Sequence, residues 1–128
     1  MPDRAHVALY ALDVAKVAQF YTDVLGFDIH EVDDGFTTLR SPTLELVVVA
    51  VRPEHAEGIT VTDPPQRRQN TPIKVSFVVP SLGEARAAAP AYGATVDGVD
   101  QEWTWSGFTR CDGHDPEGNV VQLMQAAR

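Results

Sequence analysis

Apolar and polar positions alternate in two different rhythms along this chain, and the rhythms recur in the same order twice. Residues 6–12 are apolar apart from His6 and stop at Asp13, a good helix N-cap, so they predict a strand. Val14, Val17, Ala18, Tyr21, Val24 and Leu25 then fall on one helix face, and Gly26 stands where a left-handed C-cap belongs. Three short strands follow: 27–32, closed by the hairpin signal Asp33-Asp34-Gly35; Phe36–Arg40, closed by Ser41-Pro42-Thr43; and 44–51. Residues 5–51 therefore predict β-α-β-β-β.

Residues 52–72 carry prolines and charges without periodicity, which predicts a linker or a functional lid. The first rhythm then returns. Residues 73–79 predict a strand, Ser81-Leu82-Gly83-Glu84 a capping box, and Leu82, Ala85, Ala89 and Tyr92 a helical stripe closed by Gly93. Strands are predicted at 94–99, 108–111 and 120–125, the last entered through the turn Asp115-Pro116-Glu117-Gly118-Asn119. One β-α-β-β-β unit is used twice. The predicted fold class is α+β: two βαβββ modules, 5–51 and 73–125, joined by 52–72 in one domain spanning 1–128. Their sheets are expected to form a curved mixed cup with the helices on the outer face.

Strand alternation sorts the side chains of the inner strands. One parity is wholly apolar: Val7, Leu9; Leu44, Leu46, Val48; Val75, Phe77, Val79; Val121, Leu123. The helices should pack there. The other parity carries His6, Ala8, Tyr10; Glu45, Val47, Val49; Lys74, Ser76, Val78; and Val120, Gln122, Met124. An apolar sheet face with one polar group per strand is the composition of a small-ligand site.

Composition narrows the partners. A 128-residue chain with 44% hydrophobic and 22% charged residues is ordinary globular material. Its net charge of −8 repels phosphate backbones, so no nucleic-acid partner is expected. The same charge would attract a cationic small molecule, or serve only solubility. No long apolar run and no leader pattern are seen, so no membrane association and a cytoplasmic location are expected. Cys111 is the only cysteine, which rules out an intrachain disulfide and a thiolate metal cluster.

The paired modules, the opening His6-Val7-Ala8-Leu9-Tyr10, the segment Phe20-Tyr21-Thr22-Asp23-Val24-Leu25-Gly26-Phe27 and the Asp115–Asn119 turn resemble the vicinal oxygen chelate superfamily. It contains glyoxalase I, bleomycin-resistance proteins and extradiol dioxygenases. In its metal-dependent members a divalent ion is held from the first and last strands of both modules; the resemblance puts His6, Glu45, Lys74 and Gln122 at those positions. His6 and Glu45 suit a transition metal and Gln122 offers a neutral oxygen, but a lysine ammonium has no lone pair. The expectation is therefore no metal and no cofactor, with a Lys74–Glu45 ion pair in the metal's place and His6 and Gln122 completing the hydrogen bonding.

The expected ligand-binding set is His6, Tyr10, Glu45, Lys74, Ser76, Trp103, Trp105, Gln122 and Met124, with no catalytic residue assigned. Trp103 and Trp105 share a parity, so they either stack a planar or cationic ligand or serve core packing or a dimer contact. Arg40 and Arg110 take an anionic substituent or stay in solvent, and His30, His55 and His114 show no ligand spacing. The family likeness and the open sheet edges imply a homodimer. Two functions follow. The first is a bleomycin-resistance-like protein that binds a small molecule in an apolar cup without metal. The alternative is a metal-dependent lyase, isomerase or dioxygenase of the glyoxalase type, and a metal-free enzyme using Lys74 as base or imine former stands behind both.

Overall fold

Asp13 and Ser81 start the two longest helices by the same device. In the computed structural model, which describes residues 3–127, Asp13 Oδ1 accepts from the Lys16 amide and Ser81 Oγ from the Glu84 amide, both at 3.1 Å. Each thus satisfies one of the orphan amides of a first turn. The chain divides after Thr60 into two compact units.

The first unit runs β1 (Ala5–Ala11), α1 (Val14–Asp23), β2 (Asp28–Asp33), β3 (Phe36–Arg40), β4 (Leu44–Ala50) and a short α2 (Pro53–Ala56). The sheet order is β1-β4-β3-β2, with β1 parallel to β4 and the other pairs antiparallel. Val17, Phe20 and Tyr21 of α1 are buried with Leu39, Leu46 and Val48 of the sheet. Edge-on ring contacts run from Phe20 to Tyr21 at 5.1 Å and from Tyr21 to Phe27 at 6.4 Å.

The second unit runs β5 (Val75–Val78), α3 (Leu82–Ala88), a 3₁₀ turn (Ala89–Tyr92), β6 (Thr95–Val96), a second 3₁₀ turn (Val99–Gln101), β7 (Trp103–Trp105), β8 (Phe108–His114) and β9 (Val120–Ala126). The order is β5-β9-β8-β6, with β7 also on β8, and β5 runs parallel to β9. Phe77, Val79, Leu82, Ala85, Ala89, Val96, Val121 and Leu123 make its core. The fold is the α+β arrangement of two βαβββ modules, and the apolar parity of the inner strands is the one turned towards the helices.

Three departures have local causes. The second helix changes to 3₁₀ at Ala89 because Pro90 has no amide to continue the α ladder; Gly93, at φ +74°, then closes it. The strand expected at 94–99 pairs with β8 only at Thr95 and Val96 before Gly98 leads into the 3₁₀ turn. A strand not expected, β7, exists because Ser106 and Gly107 both take positive φ, the geometry of a type I′ hairpin turn.

The segment 52–72 divides between the units. Its later part lies along the Asp115–Asn119 turn: the Arg68 amide donates to the Gly118 carbonyl at 2.9 Å, and Arg68 Nε to Asn119 Oδ1 at 3.0 Å. Arg67 forks onto Asp97 at 2.6 and 3.0 Å. Among the described residues no helix is long and apolar enough to cross a membrane.

Candidate functional site

Parallel pairing of β1 with β4 sets His6 beside Glu45, Ala8 beside Val47 and Tyr10 beside Val49. On the far side of β4, the register brings Arg40 of β3 beside Glu45. Glu45 is 8% exposed, and its Oε1 accepts from Arg40 Nε at 2.7 Å while Oε2 lies 3.4 Å from His6 Nδ1. The Arg40 hydrogen bond holds the Glu45 carboxyl below its ordinary value of 4.5, against the opposing effect of burial; the charge of His6 adds to the lowering.

That direction fixes a pH dependence. A depressed carboxyl contributes stability that is present above the unfolded value near 4.5 and is lost as pH falls through the folded value. In Arg40→Gln the depression goes, so Tm should lie below the parent's at neutral pH and the gap should close as pH falls below about 4.5. Superimposable Tm–pH curves between pH 2 and 7 would remove this role from Arg40.

Tyr10 is 61% exposed at the other end of β1. It lines a pocket of about 470 Å³ with Val51, Arg52, His55, Gly58 and Ile59. The pocket lies wholly within the first unit. Tyr10 comes from β1, Val51 and Arg52 from the link between β4 and α2, and His55, Gly58 and Ile59 from α2 and the residues after it.

In the second unit Gln122 is the centre of a polar row. It is 6% exposed, and its Oε1 accepts from Ser76 Oγ on β5 and from Arg110 Nη1 on β8, each at 2.9 Å. Its amide nitrogen reaches Asp112 Oδ1 at 3.4 Å, the residue opposite it in the β8–β9 register. Lys74 Nζ donates to both Asp112 oxygens at 3.1 Å. It also lies 5.8 Å from the Trp103 ring centre. Arg110 Cζ is 4.7 Å from the Trp105 ring and 5.7 Å from Phe108, with Nε donating to the Trp105 carbonyl at 3.3 Å. Met124 stands opposite Arg110 and is half-buried.

Structure thus gathers His6 with Glu45, and Lys74, Ser76, Gln122 and Trp103 around Asp112, while Tyr10 belongs to a separate pocket. Lys74 and Glu45, expected to pair with each other, have Asp112 and Arg40 as their partners within their units. The two indoles, expected either to stack a planar or cationic ligand or to serve core packing or a dimer contact, each have a cation of the chain itself nearby. Asp112 was not singled out by the sequence pattern, although the alternation of β8 puts it on the same face as Arg110. Arg52 and His55 were missed because nothing in an aperiodic segment shows which way it folds. Burial pushes the Cys111 thiol up, with Arg86 partly opposing, so it is not poised as a thiolate nucleophile. Among the described residues, no three His, Cys, Asp or Glu side chains are gathered as a metal site.

The family model described as a glyoxalase-like domain matches residues 6–124. A comparison with curated proteins gives no match. Solved structures with a similar fold include a glyoxalase/bleomycin resistance protein/dioxygenase family enzyme from Burkholderia phytofirmans PsJN, at 20% identity and TM-score 0.71, covering 98% of this chain and 100% of that one. TnmS3, an antibiotic binding protein from Streptomyces sp. CB03234, is similar at 19% identity and TM-score 0.64, covering 99% and 98%. The oxidase ChaP-H2 is similar at 17% identity and TM-score 0.66, covering 98% and 94%. At these identities the likeness is one of fold.

Proposed function

We propose that this chain, which belongs to the glyoxalase-like domain family of the vicinal oxygen chelate superfamily, binds a small planar molecule on its apolar sheet faces without a resident metal ion. The observation that carries the reading is where the two guanidinium groups sit. Arg40 is hydrogen-bonded to the Glu45 oxygen and Arg110 to the Gln122 oxygen, two residues that the superfamily resemblance matches to metal-ligand positions. A fixed cation on a ligand oxygen occupies one of its lone pairs and repels a second positive charge. Lys74 supplies donors only. This donor set does not fit a divalent cation.

Binding is favoured by what the faces leave open. Tyr10, Val78 and Trp105 are each more than 60% exposed, at 61%, 62% and 65%. An apolar surface with a few oriented polar groups suits a flat ligand, and the similar TnmS3 is an antibiotic binding protein. Against it stands the closeness of His6 and Glu45, 3.4 Å apart and both good metal donors, which favours a glyoxalase-type lyase, isomerase or dioxygenase.

A thermal-shift panel of planar polycyclic compounds, with and without chelator, separates the two. At a hundredfold excess over Kd, a true ligand should raise Tm by roughly 5–10 °C, equally in both conditions. No shift from any compound would overturn the binding reading. Turnover of a substrate that chelator abolishes and Ni, Zn or Fe restores would establish the metal-dependent one.

A further inference from the structure

The pocket at Tyr10 is lined by apolar side chains together with a guanidinium and an imidazole. Val51, Ile59 and the Tyr10 ring supply apolar lining, and Arg52 and His55 supply polar groups. Its volume, about 470 Å³, lies in the range of small-ligand sites, roughly 300–1,000 Å³.

The hydrogen-bonding state of these residues is distinctive. The Arg52 guanidinium, the His55 imidazole and the Tyr10 hydroxyl have no hydrogen-bond or ion-pair partner among the described residues. The other strand-face cations are committed: Arg40 to Glu45, Lys74 to Asp112, Arg110 to Gln122. Glu54 and Glu57 flank His55 in sequence but do not line the pocket. In a chain of net charge −8, a guanidinium left unpaired beside apolar walls is a local reversal of the general field. Guanidinium presents a planar fork that matches a carboxylate, and a phenol hydroxyl and an imidazole N–H can each donate to the same oxyanion.

We propose that this pocket takes an aromatic carboxylate, with the ring against Tyr10, Val51 and Ile59 and the carboxylate on Arg52, supported by Tyr10 and His55. The proposal rests on the small-molecule reading above and replaces its open choice of ligand charge with a definite one. It also sets a direction opposite to the one that net charge alone implies. Arg52 is the residue that selects for the anion.

The test uses 2-naphthoate, neutral 2-naphthamide and 2-naphthylmethylammonium as matched probes in an amide-resolved NMR titration of the full chain. Naphthoate should shift the Val51, Gly58 and Ile59 amides saturably, and naphthamide should bind at least about tenfold more weakly. Arg52→Gln, an exposed substitution, should weaken naphthoate about tenfold and leave naphthamide unchanged, while Tyr10→Phe should weaken naphthoate by a smaller factor. If the ammonium or the amide matches naphthoate at these amides, the carboxylate assignment falls and the binding reading stands. If naphthoate shifts only β8 and β9 amides, the pocket assignment falls and the binding reading again stands. If no probe shifts any amide, this inference is overturned, and the thermal-shift panel decides the broader reading.

Discussion

Gly118→Ala should destabilise the second unit by about 3 kcal/mol or more, one of two large expected losses at the turn before β9. Gly118 has φ +84°, where a side chain is strained by itself, and a Cβ built there would collide with the Gln66 carbonyl oxygen. That oxygen is backbone and cannot rotate away. Relief requires moving the strap of residues 66–68, which would break the 2.9 Å bond from the Arg68 amide to the Gly118 carbonyl. Gly107 is the control. It has nearly the same φ, +82°, with nothing within 4 Å of a built Cβ. Gly107→Ala should therefore cost only the backbone strain, about 1–2 kcal/mol. Urea denaturation of both variants measures the difference, and hydrogen exchange of the Arg68 amide reports the strap directly. Equal losses would mean that the strap does not bear on the turn.

The strap also marks the limit of what could be read from the residues. The first module was legible nearly element by element, because its apolar spacings, Asp13 and Gly26 all point the same way. The second was less so where backbone chemistry overrides periodicity: Pro90 ends an α-helix inside a good helical stripe, and Ser106-Gly107 makes a hairpin with little side-chain signature. Residues 66–68 dock through a main-chain bond. Such bonds have no compositional trace, so neither the docking nor the pocket wall beyond Val51 was visible.

The site shows the same division. Alternation within β1, β4, β5 and β9 put His6, Glu45, Ser76 and Gln122 on the same parity, and strand register then sets His6 beside Glu45 and Ser76 beside Gln122. It was silent on partners from the next strand over. Arg40 reaches Glu45 and Asp112 reaches Gln122 because β3 and β8 lie in register beside them. Applying the cross-strand neighbour rule to those strands would have found both. Once they are included, the four positions that a metal would use become two separate charge clusters, each closed by a cation and a carboxylate or amide of its own unit.

Asp115→Ala should cost about 3–4 kcal/mol, and Asp115→Asn distinctly less, about 1–2 kcal/mol. Asp115 is fully buried. Its Oδ1 accepts from the Glu117 amide at 2.9 Å, the Asn119 amide at 3.0 Å and Asn119 Nδ2 at 3.2 Å; its Oδ2 accepts from Asn119 Nδ2 at 2.9 Å. Alanine strips acceptors from two backbone amides where water is scarce. Asparagine keeps one oxygen for both amides and, of these bonds, gives up the one from Asn119 Nδ2 to Oδ2, now donor against donor. Asn119 cannot flip to relieve this without giving up Arg68, which donates to its oxygen. Equal losses in the two variants would show that packing, not hydrogen bonding, makes Asp115 matter. The Gln122 side-chain amide is the reporter that links the turn to the site: it lies three residues beyond Asn119, and Ser76 and Arg110 hold its oxygen only if β9 keeps its register. Its NMR signal should stay in place in Asp115→Asn and broaden or move in Asp115→Ala well below the unfolding midpoint, because a turn that loses its acceptor lets the strand that carries Gln122 slip first at that end.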